Sequence, residues 1–487
     1  MAKILDFAAV DERMAWLQSA SLTSVVDDSL EALRAGVDED ILWASGMLTA
    51  THFVNNQAHI LLGFVSHAAI GCEDARRLAQ HQIPRIRHLL LLQALHQVVF
   101  DMHEPCMSPD HLLPCGPLYE DTIEQNIRML RADIRRGEYS RSDYRFNALE
   151  RELPRDDLIG LLLDIGLEGM TTDDHTLITP ALSLGMLELV GWERGFDMLR
   201  CALRYSASFP RNFAPYDRAD ELAARYDIAS GVSASGLQPD RIQVLRQTFH
   251  DTPPEDRPAA AARALAEEGF SPETILAAVS LTGCDYYLMV EPVPHDDFDA
   301  VSREVAPIHM GTSTNALRSM VPYMSPRTQV LAAIQGGSLL QRGPSVLNAD
   351  FEFVPFKPAR AFPYSEDVRS LNRQSPEQFI RTLKTALYAH DYQLSTAVVQ
   401  AYADAGTDPA WLIAALTEVA CTDDGTLMHN IKHLNSMVEE FQSCQHPDRW
   451  NYLIVASRFI AWYAGKRQSV YAHAVTILQE QTEDDSR

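Results

Sequence analysis

Apolar residues recur every three to four positions through most of the chain, and this spacing constrains its fold more than any other feature. After Pro154 and Asp156, for example, Ile159, Leu162 and Leu163 would lie on one face of a helix. The alternation of apolar and polar residues that marks a strand is nearly absent. The sequence therefore predicts an all-α protein, built as a multi-helix array of packed helical hairpins.

Local signals mark where some of these helices begin and where the helical pattern stops. Ser271-Pro272-Glu273 and Ser375-Pro376-Glu377 each place a capping serine ahead of proline in the first turn. Prolines predict two irregular segments, Met102 to Pro117 and Arg342 to Pro376. The second segment carries several aromatic residues that would either cover a flat apolar ligand or fix the segment to the core: Phe351, Phe353, Phe356, Phe362 and Tyr364.

A glycine- and serine-rich stretch from Asp227 to Pro239 predicts a boundary near the middle of the chain. We expect an N-terminal helical region over residues 1–230 and a C-terminal helical region over residues 238–487. Helical arrays often continue without an internal boundary, so we expect the two regions to form one continuous body.

The charge of the chain restricts its partners. With 41 Lys and Arg against 66 Asp and Glu, the net charge of −25 repels phosphate backbones and anionic lipids. The most apolar stretch, Leu89 to Phe100, is too short to cross a bilayer and predicts a buried helix. Acidic residues at positions 6, 11 and 12 interrupt the region where a signal peptide needs an apolar run. We expect a cytoplasmic protein without a nucleic-acid or membrane partner, and a homodimer is compatible with the sequence.

Several common cofactor and catalytic motifs are missing from the sequence. It has no G-x-G, which argues against a dinucleotide or flavin site, and no E-x-x-H of the kind that serves di-iron bundles. It also has no G-x-S-x-G nucleophile motif and no P-loop. These observations leave metal chemistry based on histidine as the main catalytic alternative.

Histidines at helical spacing supply the first candidate ligands. His52 and His59 are seven residues apart, which is two turns of a helix, and Asn55 lies between them. His67 follows eight residues later, near the same helical face. Metal ligands and ordinary core or surface histidines are both compatible with this pattern.

A second group of candidates lies near the C-terminus. His429, Lys432 and His433 are spaced i, i+3 and i+4 and share one helical face. A lysine buried beside histidines is unfavourable unless something compensates its charge. A metal ion would do so if the lysine were neutral or carbamylated, whereas the alternative is a basic cluster facing solvent. His309, two residues after Pro307, is a further candidate.

Three segments together resemble the questin oxidase-like family, whose better known members open the rings of anthraquinones. The segments are HFVNNQAHILLGFVSHAAIG, PIHMGTSTNALRSMV and MHNIKHLNSMVEEF. The resemblance implies a mononuclear non-haem iron held by histidines and a carbamylated lysine. The residues it points to are His52, His59, His309, His429 and Lys432, with His67 as the alternative to His52.

This resemblance also implies an activity. We expect a central buried Fe(II) site that uses dioxygen as co-substrate and needs no flavin. The expected substrate is a small polycyclic aromatic compound, such as an anthraquinone or a related polyketide of natural-product biosynthesis. The reaction would be ring cleavage or Baeyer-Villiger-type oxygen insertion. Asn55 and Asn315 are candidates for hydrogen bonds that orient the ligands.

Two other functions are compatible with the sequence. The first is a helical scaffold that binds a partner without catalysis and without metal. The second is a metal-dependent hydrolase, since His-Asp dipeptides occur at 250–251, 295–296 and 390–391 and such dyads serve helical phosphohydrolases. Bound iron and oxygen uptake would distinguish the oxygenase from both.

Overall fold

The computed structural model describes residues 5–55, 66–105, 111–170, 175–208, 212–291, 301–341, 345–347, 353–355, 358–371 and 374–484. For 301–306, 345–347, 353–355 and 477–484 it describes the backbone alone. This part of the chain forms twenty-two α-helices and one short β-hairpin. The prediction of an all-α protein is therefore confirmed.

Ten helices precede the predicted boundary. They are α1 (Phe7–Ser19), α2 (Ser24–Arg34), α3 (Glu39–Phe53), α4 (Ala68–Ala79), α5 (Pro84–His103), α6 (Ile123–Arg136), α7 (Tyr139–Glu152), α8 (Arg155–Gly169), α9 (His175–Ser208) and α10 (Ala214–Arg225). Helix α9 is made of two helical segments that join at Gly191, whose φ of 73° is not helical. Helix α5 contains the predicted buried helix from Leu89 to Phe100.

The remaining elements follow the boundary. They are α11 (Ile242–Asp251), α12 (Arg257–Glu267), α13 (Pro272–Met289), α14 (Val301–Met320), α15 (Pro326–Leu339), β1 (Ser345–Leu347), β2 (Phe353–Pro355), α16 (Ser365–Ser370), α17 (Pro376–Tyr388), α18 (Tyr392–Asp404), α19 (Pro409–Ala420), α20 (His429–Ser443), α21 (Trp450–Tyr463) and α22 (Ser469–Asp484). Strands β1 and β2 pair antiparallel, with Val346 opposite Val354.

Both predicted helix starts are confirmed. The Ser271 side chain accepts a hydrogen bond from the Thr274 backbone N–H and caps α13. The Ser375 side chain accepts from the Gln378 N–H, and the Gln378 side chain in turn accepts from the Ser375 N–H, which completes a capping box on α17.

The predicted irregular segment from Arg342 to Pro376 contains the β-hairpin and the six-residue helix α16. Two of its aromatic residues fix the segment to the core. Phe362 is buried and stacks on Tyr364 with 4.9 Å between ring centres, and the Phe362 N–H donates to the Leu288 carbonyl. Of the other three aromatic residues, Phe351 and Phe356 lie outside the described residues, and Phe353 is described by its backbone alone.

The main hydrophobic core runs from Val10 to Ala474 and contains residues of both predicted regions. A second, smaller core lies between α6, α7, α8 and the second half of α9, with Phe146 and Leu203 among its members. The predicted boundary is the non-helical stretch between α10 and α11, where the Gly236 N–H donates to Glu273 at the start of α13. Among the helices the structure describes, none has the length and apolar character needed to cross a membrane.

Candidate metal centre

Four histidines from four different helices meet in the interior. His67 directly precedes α4, His175 begins α9, His309 lies within α14 and His429 begins α20. The Nε2 atoms of His67 and His175 are 3.1 Å apart, and those of His309 and His429 are 3.2 Å apart. We call these four residues the histidine cluster.

Ring contacts connect the two pairs. The ring centres of His67 and His429 are 4.5 Å apart, and those of His175 and His309 are 5.2 Å apart. Within the pairs the ring centres are separated by 5.1 Å and 5.2 Å. The Nζ atom of Lys432, a residue only 2% exposed, lies 3.1 Å from His175 Nε2. A lysine amine and four imidazoles therefore share one buried site.

The hydrogen-bond partner of His429 defines its tautomer. Its Nδ1 atom lies 2.6 Å from the carbonyl oxygen of Thr426. A carbonyl oxygen only accepts hydrogen bonds, so Nδ1 must carry the hydrogen. In the neutral ring the Nε2 atom then presents a lone pair toward His309, which is the form that binds a metal.

The surroundings of His67 favour its neutral form. Burial lowers the pKa of His67 well below its usual range, and the neighbouring titratable groups His429, His175 and Lys432 lower it further, because two adjacent groups cannot both carry a positive charge without repulsion. His67, His175 and His429 also stand at the N-terminal ends of their helices, where the helix dipole is positive. Burial and the positive end of α4 together favour the neutral form of His67, which has the lone pair that coordination requires.

The distances fit one metal ion with imidazole ligands. Metal–nitrogen bonds of about 2.0–2.1 Å and bond angles between octahedral and tetrahedral place two ligand nitrogens about 2.9–3.4 Å apart. The two observed Nε2 separations, 3.1 and 3.2 Å, lie in this range. With about 1.1 Å from nitrogen to ring centre, the same geometry places ring centres about 4.5–5.2 Å apart. All four observed ring separations agree with it.

The agreement between the observed distances and those around a metal ion holds for pairs of side chains. Among the described residues, no group of three or more His, Cys, Asp and Glu side chains is already arranged to hold a metal ion. The pairwise distances are the more direct observation, because they measure the separations that coordination would fix. The residues of the cluster therefore fit an ion pair by pair, and a complete set of ligands would require the rings to move.

A carboxylate from α5 holds His67 in position. Asp101 accepts hydrogen bonds from the Ser66 hydroxyl at 2.8 Å, the Ala68 N–H at 3.1 Å and the Gln97 side chain at 2.7 Å. The bonds from Ser66 and Ala68 hold the chain on both sides of His67, and the second of them satisfies the first backbone N–H of α4. Burial raises the pKa of Asp101 to about 6.

A tight turn before α20 positions His429. Asp423 accepts hydrogen bonds from the Thr426 N–H at 3.0 Å and the Asn430 side chain at 3.1 Å. Leu427 and Met428 then adopt φ angles of 51° and 69°, a left-handed conformation that is strained for side chains of this size. Strained backbone of this kind is common at functional sites.

The turn is also fixed by its contact with α4. A Cβ atom on Gly71 would lie 3.0 Å from Met428 Cγ and 3.2 Å from Met428 Cβ. Only glycine gives Met428 this space without a shift of one of the two elements. The close approach sets the distance between the helices that carry His67 and His429.

The structure brings some of the sequence-predicted ligands together and places others elsewhere. His309, His429 and Lys432 lie together, and of the two alternatives His52 and His67 it is His67 that lies in the histidine cluster. His52 instead faces Asp197 of α9, with 3.5 Å between Nε2 and a carboxylate oxygen. His59 lies outside the described residues.

The end of helix α3 explains why His52 does not lie with the other histidines. The predicted helical face would have continued from His52 to His67, but α3 ends at Phe53 and Val54 is extended. His67 belongs to a new helix, and its direction is set by α4 rather than by α3.

His433, predicted on the same face as His429, does not join the cluster. Its ring packs edge-on against Phe459 and Tyr287, with ring centres 5.3 Å and 6.1 Å away. Neither ring nitrogen has a hydrogen-bond partner among the described residues, and burial lowers the pKa of His433 to about 3. We have no physical account of why a histidine occupies this apolar position.

The two asparagines predicted to orient ligands differ in their surroundings. Asn315 of α14 is buried, donates to Glu440 at 3.3 Å and lines a cavity that Lys432 also lines. Asn55 lies just beyond the end of α3 and is half-buried. Asn315 therefore lies beside a cavity that reaches Lys432.

The sequence interpretation missed His175. The available signal was its position, since it directly precedes an apolar helical run, just as His429 does. The His-Asp dipeptides behave differently, because His250 pairs with Asp285 at 3.0 Å and His390 contacts the Ala461 carbonyl at 2.8 Å. These two histidines have separate partners, and the dipeptide at 295–296 lies outside the described residues.

Comparisons of the chain with protein-family profiles, with curated proteins and with solved structures returned no match.

Proposed function

We propose that the chain is a non-haem iron oxygenase whose Fe(II) is held by the histidine cluster together with Lys432. One observation carries the proposal: four imidazoles and a lysine amine converge in a buried site with separations suited to one ion. Imidazole nitrogens with an oxygen ligand suit Fe(II) and leave room for dioxygen. Relative to the ligand set suggested by the sequence resemblance, His67 and His175 replace His52, and the place of His59 is left open.

Charge supports a modified lysine in this site. A divalent cation would face the Lys432 ammonium and the positive ends of the helices that begin near His67, His175 and His429. Carbamylation changes the lysine from one positive charge to one negative charge and supplies an oxygen ligand. We therefore retain Lys432 as the carbamylated ligand.

When bound, iron would supply the activation of dioxygen for attack on an aromatic ring, leading to ring cleavage or Baeyer-Villiger-type insertion. The chain's own residues position the ligands and exclude water. Thr426 holds His429 in one tautomer, and Asp101 holds the helix that follows His67. A cavity of only about 10 Å³, lined by Ile70, Met186 and Tyr205 among others, adjoins the site, and the Tyr205 ring centre lies 5.9 Å from that of His175. A polycyclic substrate would therefore require this part of the protein to open. The polycyclic aromatic substrate class rests on the resemblance.

Metal analysis of untagged protein tests the proposal. We expect near-stoichiometric iron in wild type and loss of iron in His175→Ala and His429→Ala, because each removes a ligand. His52→Ala is the matched control, since it removes a histidine of α3 that faces Asp197 instead, and it should retain iron. Oxygen uptake with added anthraquinones would then be measured on the same samples.

Other outcomes would favour the competing functions. Wild type that takes up no metal after anaerobic incubation with Fe(II) would refute the oxygenase and favour a scaffold. Zinc in place of iron, without oxygen uptake, would favour a hydrolase. Loss of iron in His52→Ala but not in His175→Ala would show that the cluster is not the site.

A further inference from the structure

Three of the helices that carry cluster histidines also contact one another farther along their length. His67, His175 and His429 stand at the starts of α4, α9 and α20. Between six and ten residues beyond each histidine, side chains join α4 to the other two helices. At 1.5 Å per residue, these contacts lie about 9–15 Å from the histidines along each helix. The three helices therefore start at the cluster and run side by side away from it.

A buried carboxylate on α4 organises these contacts. Glu73 is fully buried, and its two oxygens accept hydrogen bonds from Arg76 Nε at 2.7 Å, from Arg76 Nη2 at 3.0 Å and from Arg77 Nε at 2.8 Å. Charge-assisted bonds of this kind hold the planar guanidinium groups in a fixed orientation. We call Glu73, Arg76 and Arg77 the arginine clamp.

The two arginines of the clamp connect α4 to both neighbouring helices. Arg76 Nη2 donates to the Gly185 carbonyl of α9 at 3.3 Å. Arg77 Nη2 donates to the Ala181 carbonyl of α9 at 3.4 Å, and Arg77 Nη1 lies 3.4 Å from a carboxylate oxygen of Glu439 on α20. These bonds are longer than those to the buried carboxylate. Each guanidinium group therefore joins α4 to at least one neighbouring helix.

A glycine on α9 allows this close approach. A Cβ atom on Gly185 would overlap Glu73 Oε1 and would lie 2.6 Å from Arg77 Nη2. Any other residue at this position would push α9 away from the clamp or displace the ion pair. The short distance between α9 and the clamp thus depends on glycine at position 185.

We propose that Glu73 is a positioning residue, which acts through the arginine clamp to set the separations among the histidines that begin α4, α9 and α20. The inference rests on the proposed function in one respect, since it takes the histidine cluster to bind a metal ion. Ligand atoms must be held to within about 0.5 Å for productive coordination. A helix is stiff over two to three turns, so a tie at this distance restricts the movement of its first residue.

The charge of Glu73 is what holds the clamp together. Glu73→Gln keeps the shape of the side chain but places an amide nitrogen against guanidinium donors and leaves two positive charges without their buried partner. The clamp lines a surface cavity of about 280 Å³, which gives both arginines room to turn away from α9 and α20. We therefore expect the substitution to release the ties between the three helices.

Titration of the metal-free protein with cobalt(II) tests the proposal, because its d–d absorption bands report both the affinity and the arrangement of the ligands. His175→Ala, which lacks a cluster ligand, gives the baseline. Asp133→Asn is the matched control for Glu73→Gln. Asp133 is also fully buried and accepts hydrogen bonds from Arg145 at 2.6 Å and from Arg136, but it joins α6 to α7, which carry no cluster histidine. Urea unfolding of each variant gives the accompanying loss of stability.

We expect both amide substitutions to lower the free energy of unfolding, and only Glu73→Gln to weaken cobalt binding, by at least about tenfold, with altered bands. Glu439→Gln removes the tie to α20 alone. It should cause a smaller change in the same direction, and it covers the case in which Glu73→Gln fails to fold.

Unchanged affinity and bands in whichever of these two variants folds would overturn the positioning role and leave the metal site intact. An equal loss of affinity in Asp133→Asn would overturn it as well, because the effect would then follow from general destabilisation. Wild type without cobalt bands would overturn the inference together with the histidine metal site. Cobalt binding without iron-dependent oxygen uptake would refute the oxygenase alone.

Discussion

The buried carboxyl group of Asp74 should destabilise the folded protein at neutral and higher pH. Burial raises the pKa of Asp74 from 3.8 to about 7, while the charges of Lys432 and Arg77 lower it and offset part of that effect. Each pKa unit corresponds to about 1.4 kcal/mol, so keeping Asp74 ionised near pH 8 costs the folded state about 4 kcal/mol. Asp74→Asn removes this cost and retains an oxygen that can accept from Asn435.

The direction of the pH dependence follows from the raised pKa. As the pH falls from about 7 to about 4, the folded wild type binds a proton at Asp74 that the unfolded chain does not yet hold. Wild type therefore gains stability over this range relative to Asp74→Asn. The variant should be more stable by about 4 kcal/mol near pH 8, and the advantage should vanish near pH 4.

Urea unfolding at several pH values between these limits measures the difference in the free energy of unfolding. Asp121→Asn is the control, because Asp121 is exposed and its substitution should change stability little at any pH. The reasoning would be refuted if Asp74→Asn were no more stable than wild type near pH 8. An advantage that stayed constant as the pH fell would refute it equally.

Substitutions at three further positions test the residues that hold the histidine cluster in place, Gly71 and Asp101, and the buried histidine beside it, His433. Gly71→Ala should lower the free energy of unfolding by about 1–3 kcal/mol and reduce the iron content, because the added Cβ would press on Met428. Thermal melting measures the first effect and metal analysis the second. Asp101→Ala should cost about 3 kcal/mol in urea unfolding, since it leaves the donors at the start of α4 unpaired, and Asp101→Asn should cost less. His433→Phe should stabilise by about 1–3 kcal/mol with iron content unchanged, because both ring nitrogens lack partners. The pKa of His433 is lowered to about 3, so wild type should lose stability below about pH 6.5 and the variant should lose less.

The parts of the fold that the sequence predicted correctly are those governed by local signals. The starts of α13 and α17 depend on a serine cap and a proline within the first turn, all inside a few residues. Helix α5 was predictable from the apolar stretch between Leu89 and Phe100, although Gln93, His96 and Gln97 interrupt it. The end of α3 was not predicted, because apolar residues continue beyond Phe53 at a spacing that suits a longer helix.

Which residues make up the site depends on contacts between residues that are far apart in the sequence. His175 lies 108 residues from His67 and 257 residues from Lys432, and its ring is within 3.1 Å of polar atoms of both. The periodicity of a sequence carries no information about contacts between residues so far apart. Which histidines meet is decided by how α4, α9 and α20 pack against one another. The i, i+3 spacing of His429 and Lys432 was readable because one helix carries both.

The nitrogen positions in the cluster suit two states, one in which the rings are hydrogen-bonded to each other and one in which they would bind an ion. Hydrogen-bonded nitrogens lie about 2.7–3.2 Å apart, and neighbouring nitrogen ligands of one ion lie about 2.9–3.4 Å apart. The observed separations of 3.1 and 3.2 Å belong to both ranges. Without metal, His309 can donate its Nε2 hydrogen to the lone pair of His429, whose own hydrogen is held by Thr426. If a metal ion bound to His309 Nε2, that hydrogen would have to move to Nδ1, and the rings would have to shift to complete the ligand set. The spacing within each pair is therefore already the spacing that an ion would need, and the free energy of binding an ion would be reduced by what is needed to bring the two pairs together.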